Sequence, residues 1–155
     1  MNPRIDFYRT SPQGLKAMFA FQTYVNGQGL EESMLKLVKM RVSQINGCAY
    51  CLDMHSKDAR AAGEGEQRLY LLAAWREAGG LYSEKERAAL AWAETLTLLH
   101  ETHVPDEAYE AVRAHFSEEE VVNLSLAVVA INGWNRLQVA FRPEIGTYQP
   151  KQLHR

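Results

Sequence analysis

The only two cysteines of the chain stand three residues apart in Cys48-Ala49-Tyr50-Cys51, and His55 follows four residues after the second. On a helix, positions i, i+3 and i+7 share a face, so this spacing lines two sulfurs and an imidazole along one stripe. The sulfurs then lie within bonding reach of each other, and His55 is spaced to take a proton from Cys51. A bridge that closes so short a loop constrains the unfolded chain little, so stapling the fold is not its job. In a compartment that keeps thiols reduced, such a pair is catalytic, redox-active or metal-binding. Thiol chemistry needs the thiolate. The unsatisfied N–H groups of a helix start favour it at Cys48, whereas a protonated His55 favours it at Cys51, and the residues alone leave the nucleophile open.

Other uses of the motif fit less well. A closed zinc site needs four ligands and would have to recruit His55 together with a distant His100, His103 or His115, since there is no second Cys-x-x-Cys. Haem attachment wants His directly after the second cysteine, where Leu52 stands. A thioredoxin fold would place strands around the motif. The plainest structural reading makes the cysteines small core hydrophobes and His55 a hydrogen-bonded imidazole.

The elements that must position these residues are helical. Apolar residues recur at three- and four-residue spacing between regularly placed breakers, and strand signals are almost absent. Ser11-Pro12 opens a helix that should stop near Asn26-Gly27. A second starts near Glu31, buries Met34, Leu35, Leu37, Val38, Val42 and Ile45, and ends at Asn46-Gly47. The third begins at once with Cys48 and runs to about Ala62, closed by Gly63. A fourth spans roughly Glu66 to Ala78. Ser83 with Glu86, and Ser117 with Glu120, form capping boxes before apolar-periodic stretches. The first opens a long helix to about His100, a shorter one follows Pro105, and the last helix is apolar nearly all round, as a central or subunit-contact helix is. Trp75, Trp92 and Trp134 read as core or subunit contacts. Val38, Met40, Val42 and Ile45-Asn46-Gly47-Cys48 echo Leu124, Leu126, Val128 and Ile131-Asn132-Gly133-Trp134, a pattern that two duplicated helical hairpins would leave.

One domain over residues 1–155 is expected, with an irregular or partner-bound tail from about Arg142, because no interior linker divides the chain. Apolar residues make up 46% and charged residues 23%, the composition of an ordinary soluble globule. A formal net charge of −2 gives no electrostatic case for nucleic acid. No stretch reads as a signal peptide or a membrane span, so the expected location is the cytoplasm.

The stretch from Leu37 through Ile45-Asn46-Gly47-Cys48-Ala49-Tyr50-Cys51-Leu52-Asp53-Met54-His55 resembles the core of the alkylhydroperoxidase D-like branch of the carboxymuconolactone decarboxylase family. Glu86-Arg87-Ala88-Ala89-Leu90-Ala91-Trp92-Ala93-Glu94 and Ala130-Ile131-Asn132-Gly133-Trp134-Asn135-Arg136 share that likeness, so it covers most of the chain. The resemblance implies an all-α multi-helix bundle assembled as a homo-oligomer, commonly a trimer or hexamer. It also implies a peroxidase without metal or cofactor, in which Cys51 attacks the peroxide, Cys48 resolves the sulfenic acid to a disulfide, His55 is the base, and an external dithiol, such as a lipoylated or thioredoxin-like protein, resets the pair. Two positions depart from the best-described members. Lys36 stands where they carry a relay glutamate, twelve positions before the first cysteine, and Tyr50 stands where they carry His. A cation cannot be the same relay, though aimed at the motif it would lower a thiol pKa. Glu86 and Glu94, eight residues apart, are candidate replacements, against the plain reading of solvated or capping glutamates.

The resulting expectation is a thiol-dependent peroxidase acting on organic or hydrogen peroxides. The alternative is a non-catalytic redox-responsive or interaction protein using the same dithiol switch.

Overall fold

A computed structural model describes residues 2–150 of the chain, so the last part of the expected tail, residues 151–155, lies outside the described residues. The described residues form nine α-helices and no strand: α1 (Phe7–Thr10), α2 (Pro12–Asn26), α3 (Glu32–Ile45), α4 (Ala49–Ala61), α5 (Glu66–Leu71), α6 (Glu84–Thr97), α7 (Leu99–Thr102), α8 (Asp106–Arg113) and α9 (Glu118–Phe141). Two single 3-10 turns, Leu72–Ala74 and Gly79–Leu81, join α5 to α6. No helix among the described residues is long and apolar enough to cross a membrane.

Both capping boxes form. The Ser83 hydroxyl accepts from the Glu86 N–H at 3.2 Å while the Glu86 carboxylate accepts from the Ser83 N–H at 2.7 Å. Ser117 and Glu120 repeat the exchange at 3.2 and 2.8 Å. Each satisfies two donors that a helix start leaves without partners, which is why α6 and α9 begin where they do.

Helix α3 lies at the centre because it is apolar on two faces. Val38 and Val42 pack with Ala89 and Ala93 of α6 and Leu124, Ala127 and Val128 of α9. On its other side Leu37 and Met40 meet Leu72, Trp75, Tyr82 and Leu90. Helix α9 is buried along most of its length, yet it leaves Val122, Val129 and Val139 exposed.

Two elements differ from expectation. The helix expected over Glu66 to Ala78 stops at Leu71. Trp75 is buried, with its indole N–H donating to Glu94 at 2.9 Å, and the carbonyls of Trp75 and Arg76 accept from the Arg87 guanidinium at 3.1 and 3.2 Å. Those side-chain bonds replace the N–H groups that a continuing helix would supply. The long helix expected to about His100 breaks at Leu98, and the short α7 then closes on His103 in the left-handed conformation, φ 50°.

The two echoing segments pack side by side. The Asn46 amide donates to Asn132 at 3.0 Å and to Asn135 at 2.9 Å, and the buried Asn135 donates to the Ser43 hydroxyl at 3.0 Å. Their glycines act differently. Gly47, at φ 63°, ends α3 in a turn where the N–H of Cys48 donates to the Ser43 carbonyl at 3.0 Å. This turn delivers the chain straight into α4. Gly133 stays inside α9, where a Cβ would stand 3.3 Å from the Met18 methyl, so it lets α2 approach closely.

Candidate active site

Cys48 is the N-cap of α4, one residue before the helix rather than in its first turn, and its sulfur accepts from the N–H of Cys51 at 3.3 Å. Cys48 and Cys51 are joined as a disulfide with 5.4 Å between their Cα atoms, within the ordinary range for such a bridge. Each cysteine is only 1% exposed. A cavity of about 640 Å³ nevertheless reaches Cys51 and His55, and Cys48 is not part of its lining. The disulfide and the imidazole thus lie in the first half of α4, and of the two cysteines only Cys51 borders the cavity.

His55 lies on α4 one turn after Cys51. It is 9% exposed, and its pKa is pushed down to about 3, first by burial and then by the positive charge of Lys39. The protonated imidazole considered from sequence is therefore corrected: at neutral pH His55 is uncharged. The unfolded chain protonates this side chain near its ordinary value of 6.5, while the folded chain resists until about pH 3. The native state consequently binds fewer protons between those values, and stability falls as pH drops through that window. Urea titrations of wild type and His55→Gln at pH 7, 5.5 and 4 are expected to show a wild-type loss that exceeds the variant's by up to about 1.4 kcal/mol per pH unit. Parallel pH curves for the two proteins would count against a neutral buried imidazole.

The departures from the family pattern also find their places. Lys36 lines the cavity and its ammonium pairs with Glu32 at 2.6 Å, so the relay position carries a cation with its own counter-ion. Lys39, one turn on and half-buried in the same wall, donates to the neutral Asn26 side chain at 3.1 Å, and burial pushes its pKa down. Neither glutamate offered as a replacement relay reaches the cavity. Glu86 is held in its capping box and by Arg68. Glu94 is buried, accepting from Arg41 at 2.6 Å, from Trp75 at 2.9 Å and from Arg76, where its burial excludes the solvated role. Tyr50 lines a separate, smaller cleft with Ile5, Phe7, Tyr8 and Phe141. Among the described residues no three His, Cys, Asp or Glu side chains gather as a metal site requires.

The described part of the tail has no regular structure, and it binds its own chain. The Lys57 ammonium donates to the carbonyls of Gly146 and Tyr148, both at 3.1 Å, while Asp53 accepts from Lys57 at 3.0 Å and from the Gly146 N–H at 3.2 Å. The Tyr148 hydroxyl donates to Asp58 at 2.7 Å. These bonds strap the tail across α4, and Tyr148 and Pro150 become part of the cavity wall. Lys39, Asp58, Tyr148 and Gln138 are lining residues that the sequence reading missed, and Trp134 lines the cavity rather than packing only as core. The one available signal was the pair Lys36 and Lys39, a turn apart on a helix that buries Leu35, Leu37 and Val38.

Residues 12–95 match the model of the carboxymuconolactone decarboxylase family. The chain belongs to this family. It is 45% identical over 140 residues to the uncharacterized protein YdfG of Bacillus subtilis (strain 168), covering 90% of this chain and 95% of that one. It is 32% identical over 62 residues to the alkyl hydroperoxide reductase AhpD of Bradyrhizobium diazoefficiens, covering 40% of this chain and 31% of AhpD. Its fold matches that of ATU0492 from Agrobacterium tumefaciens, a protein of unknown function assigned provisionally to AhpD-type antioxidant defence, with a TM-score of 0.90 and 45% identity over 95% of this chain and 100% of the other. The debrominase Bmp8 shares the fold at a TM-score of 0.76 and 19% identity, covering 89% of this chain and 74% of Bmp8.

Proposed function

We propose that this protein is a thiol-dependent peroxidase that reduces organic or hydrogen peroxides through Cys51 and Cys48. The observation that carries the reading is that the cavity meets Cys51 and the neutral His55 and not Cys48. In the reduced protein His55 takes the Cys51 proton, and the thiolate attacks the distal peroxide oxygen. The O–O bond breaks, the departing alkoxide takes a proton to leave as alcohol, and Cys51 becomes a sulfenic acid. The Cys48 thiol attacks that sulfur, water leaves, and the disulfide forms. An external dithiol then takes up the oxidising equivalents by attacking the bridge and closing its own disulfide, which restores both thiols. The resemblance of the Cys48–His55 segment to the alkylhydroperoxidase D-like branch implies the same assignment of roles.

Assembly as a homo-oligomer belongs to this reading, since Val122 and Val129, seven residues apart on α9, remain exposed.

The test is consumption of cumene hydroperoxide with dithiothreitol as reductant. Sustained turnover of many equivalents per chain is expected. One equivalent consumed with no further turnover would replace the peroxidase with a redox-responsive protein built on the same disulfide.

A further inference from the structure

The cavity beside Cys51 is far larger than a small peroxide requires: its volume of about 640 Å³ exceeds roughly twentyfold the ~30 Å³ that one water occupies in the liquid. Its walls combine apolar side chains, Phe19, Leu35, Met54 and Trp134, with charged ones. The charged groups are not equally provided for. Glu32 is held by Lys36 at 2.6 Å, and Asp58 accepts from Tyr148 at 2.7 Å. The Lys39 ammonium, by contrast, has the neutral Asn26 oxygen as its hydrogen-bond partner, and that oxygen is already shared with the Gln22 amide at 2.9 Å. Glu32 and Asp58 act on Lys39 by charge across the cavity, but neither carboxylate touches its ammonium, so a direct contact on this half-buried cation is left for an anionic group.

We infer that the cavity selects an amphipathic organic anion, a hydroperoxide with an apolar body against Phe19, Leu35, Met54 and Trp134 and a carboxylate at the Lys39 ammonium. The inference rests on the peroxidase reading for its chemistry and not for its binding. Lys36 contributes less, because its charge is already matched by Glu32.

The para-carboxylate of cumene hydroperoxide and its methyl ester form a suitable probe pair, with para-isopropylbenzoate and its ester as unreactive counterparts for calorimetric titration of the disulfide form. Wild type is expected to bind the acid about tenfold more tightly than the ester, the size of one charge-assisted hydrogen bond, and to show the same preference in kcat/KM through KM. Lys39→Met brings the acid-to-ester ratio close to one, and Lys39→Arg restores it. Equal affinity of wild type for acid and ester overturns the inference without any variant, and so does a Lys39→Met protein that folds and keeps the preference. Acid binding that depends on Lys39 in a protein that turns over no peroxide leaves the anion site standing and removes the peroxidase reading. Turnover of both probes at equal efficiency does the reverse.

Discussion

Cys51→Ser is expected to lose peroxide consumption by at least about a thousandfold, whereas Cys48→Ser is expected to react once and stop as a sulfenic acid that dimedone traps. The asymmetry follows from where the sulfurs sit. Cys51 borders the cavity and Cys48 does not, and His55 one turn on is uncharged, which is why the proposed cycle gives Cys51 the attack on peroxide and His55 its proton. Cys48 is walled off but accepts a backbone N–H at the start of α4, which stabilises it as a thiolate. A stabilised thiolate leaves easily. On the proposed cycle a reductant would attack the bridge at Cys51 and release Cys48, so both halves would pass through the cysteine that borders the cavity. Mass spectrometry of dimedone-treated variants checks this. Trapping on Cys48 in the Cys51→Ser protein, with none on Cys51 in the other, would reverse the roles and favour the helix-start field over the imidazole.

Glu94→Ala destabilises the fold by about 3 kcal/mol or more, a fall in Tm of roughly 10 °C for a domain of this size. The carboxylate is the shared acceptor of Arg41, Trp75 and Arg76, joining α3, α6 and the segment after the first 3-10 turn, and its removal leaves the largely buried Arg41 charge with only the neutral Gln44 oxygen and the Trp75 indole without a partner. Burial alone would raise the Glu94 pKa, but hydrogen bonds from Trp75, Arg41 and Arg76 outweigh it and hold the carboxyl below its ordinary value of 4.5. The depressed pKa makes the contribution full above the unfolded value and lost as pH falls through the folded one. Circular-dichroism melts at pH 7 and in acid check both statements: the gap between wild type and variant should narrow as the carboxyl protonates. A change in Tm under about 2 °C at pH 7 would make the network a spectator.

Local chemistry was legible where it decided the outcome. Ser83 and Ser117 each carry a glutamate three residues on, and the helices start there because the donors are satisfied within four residues of sequence. The cysteine stripe was equally readable, since its face depends only on helical period. Where distant groups compete, the sequence reading failed. Nothing near Trp75 announces that Arg87 will take the carbonyls that should have continued the helix from Glu66. The charge state of His55 depends on burial and on Lys39, sixteen positions away and on another helix. Glu94 looked like a surface group because its three partners come from residues 41, 75 and 76.

The strap of residues 143–150 across α4 turns one amide into a clock. The N–H of Gly146 is protected by the Asp53 carboxylate alone, on a segment held to the helix by side-chain bonds and by no regular structure. Its exchange with deuterium measures how often the wall carrying Tyr148 lifts away, apart from global unfolding of the buried helices. The rate at which molecules enter and leave the chamber is then open to measurement in the resting protein, before any chemistry occurs.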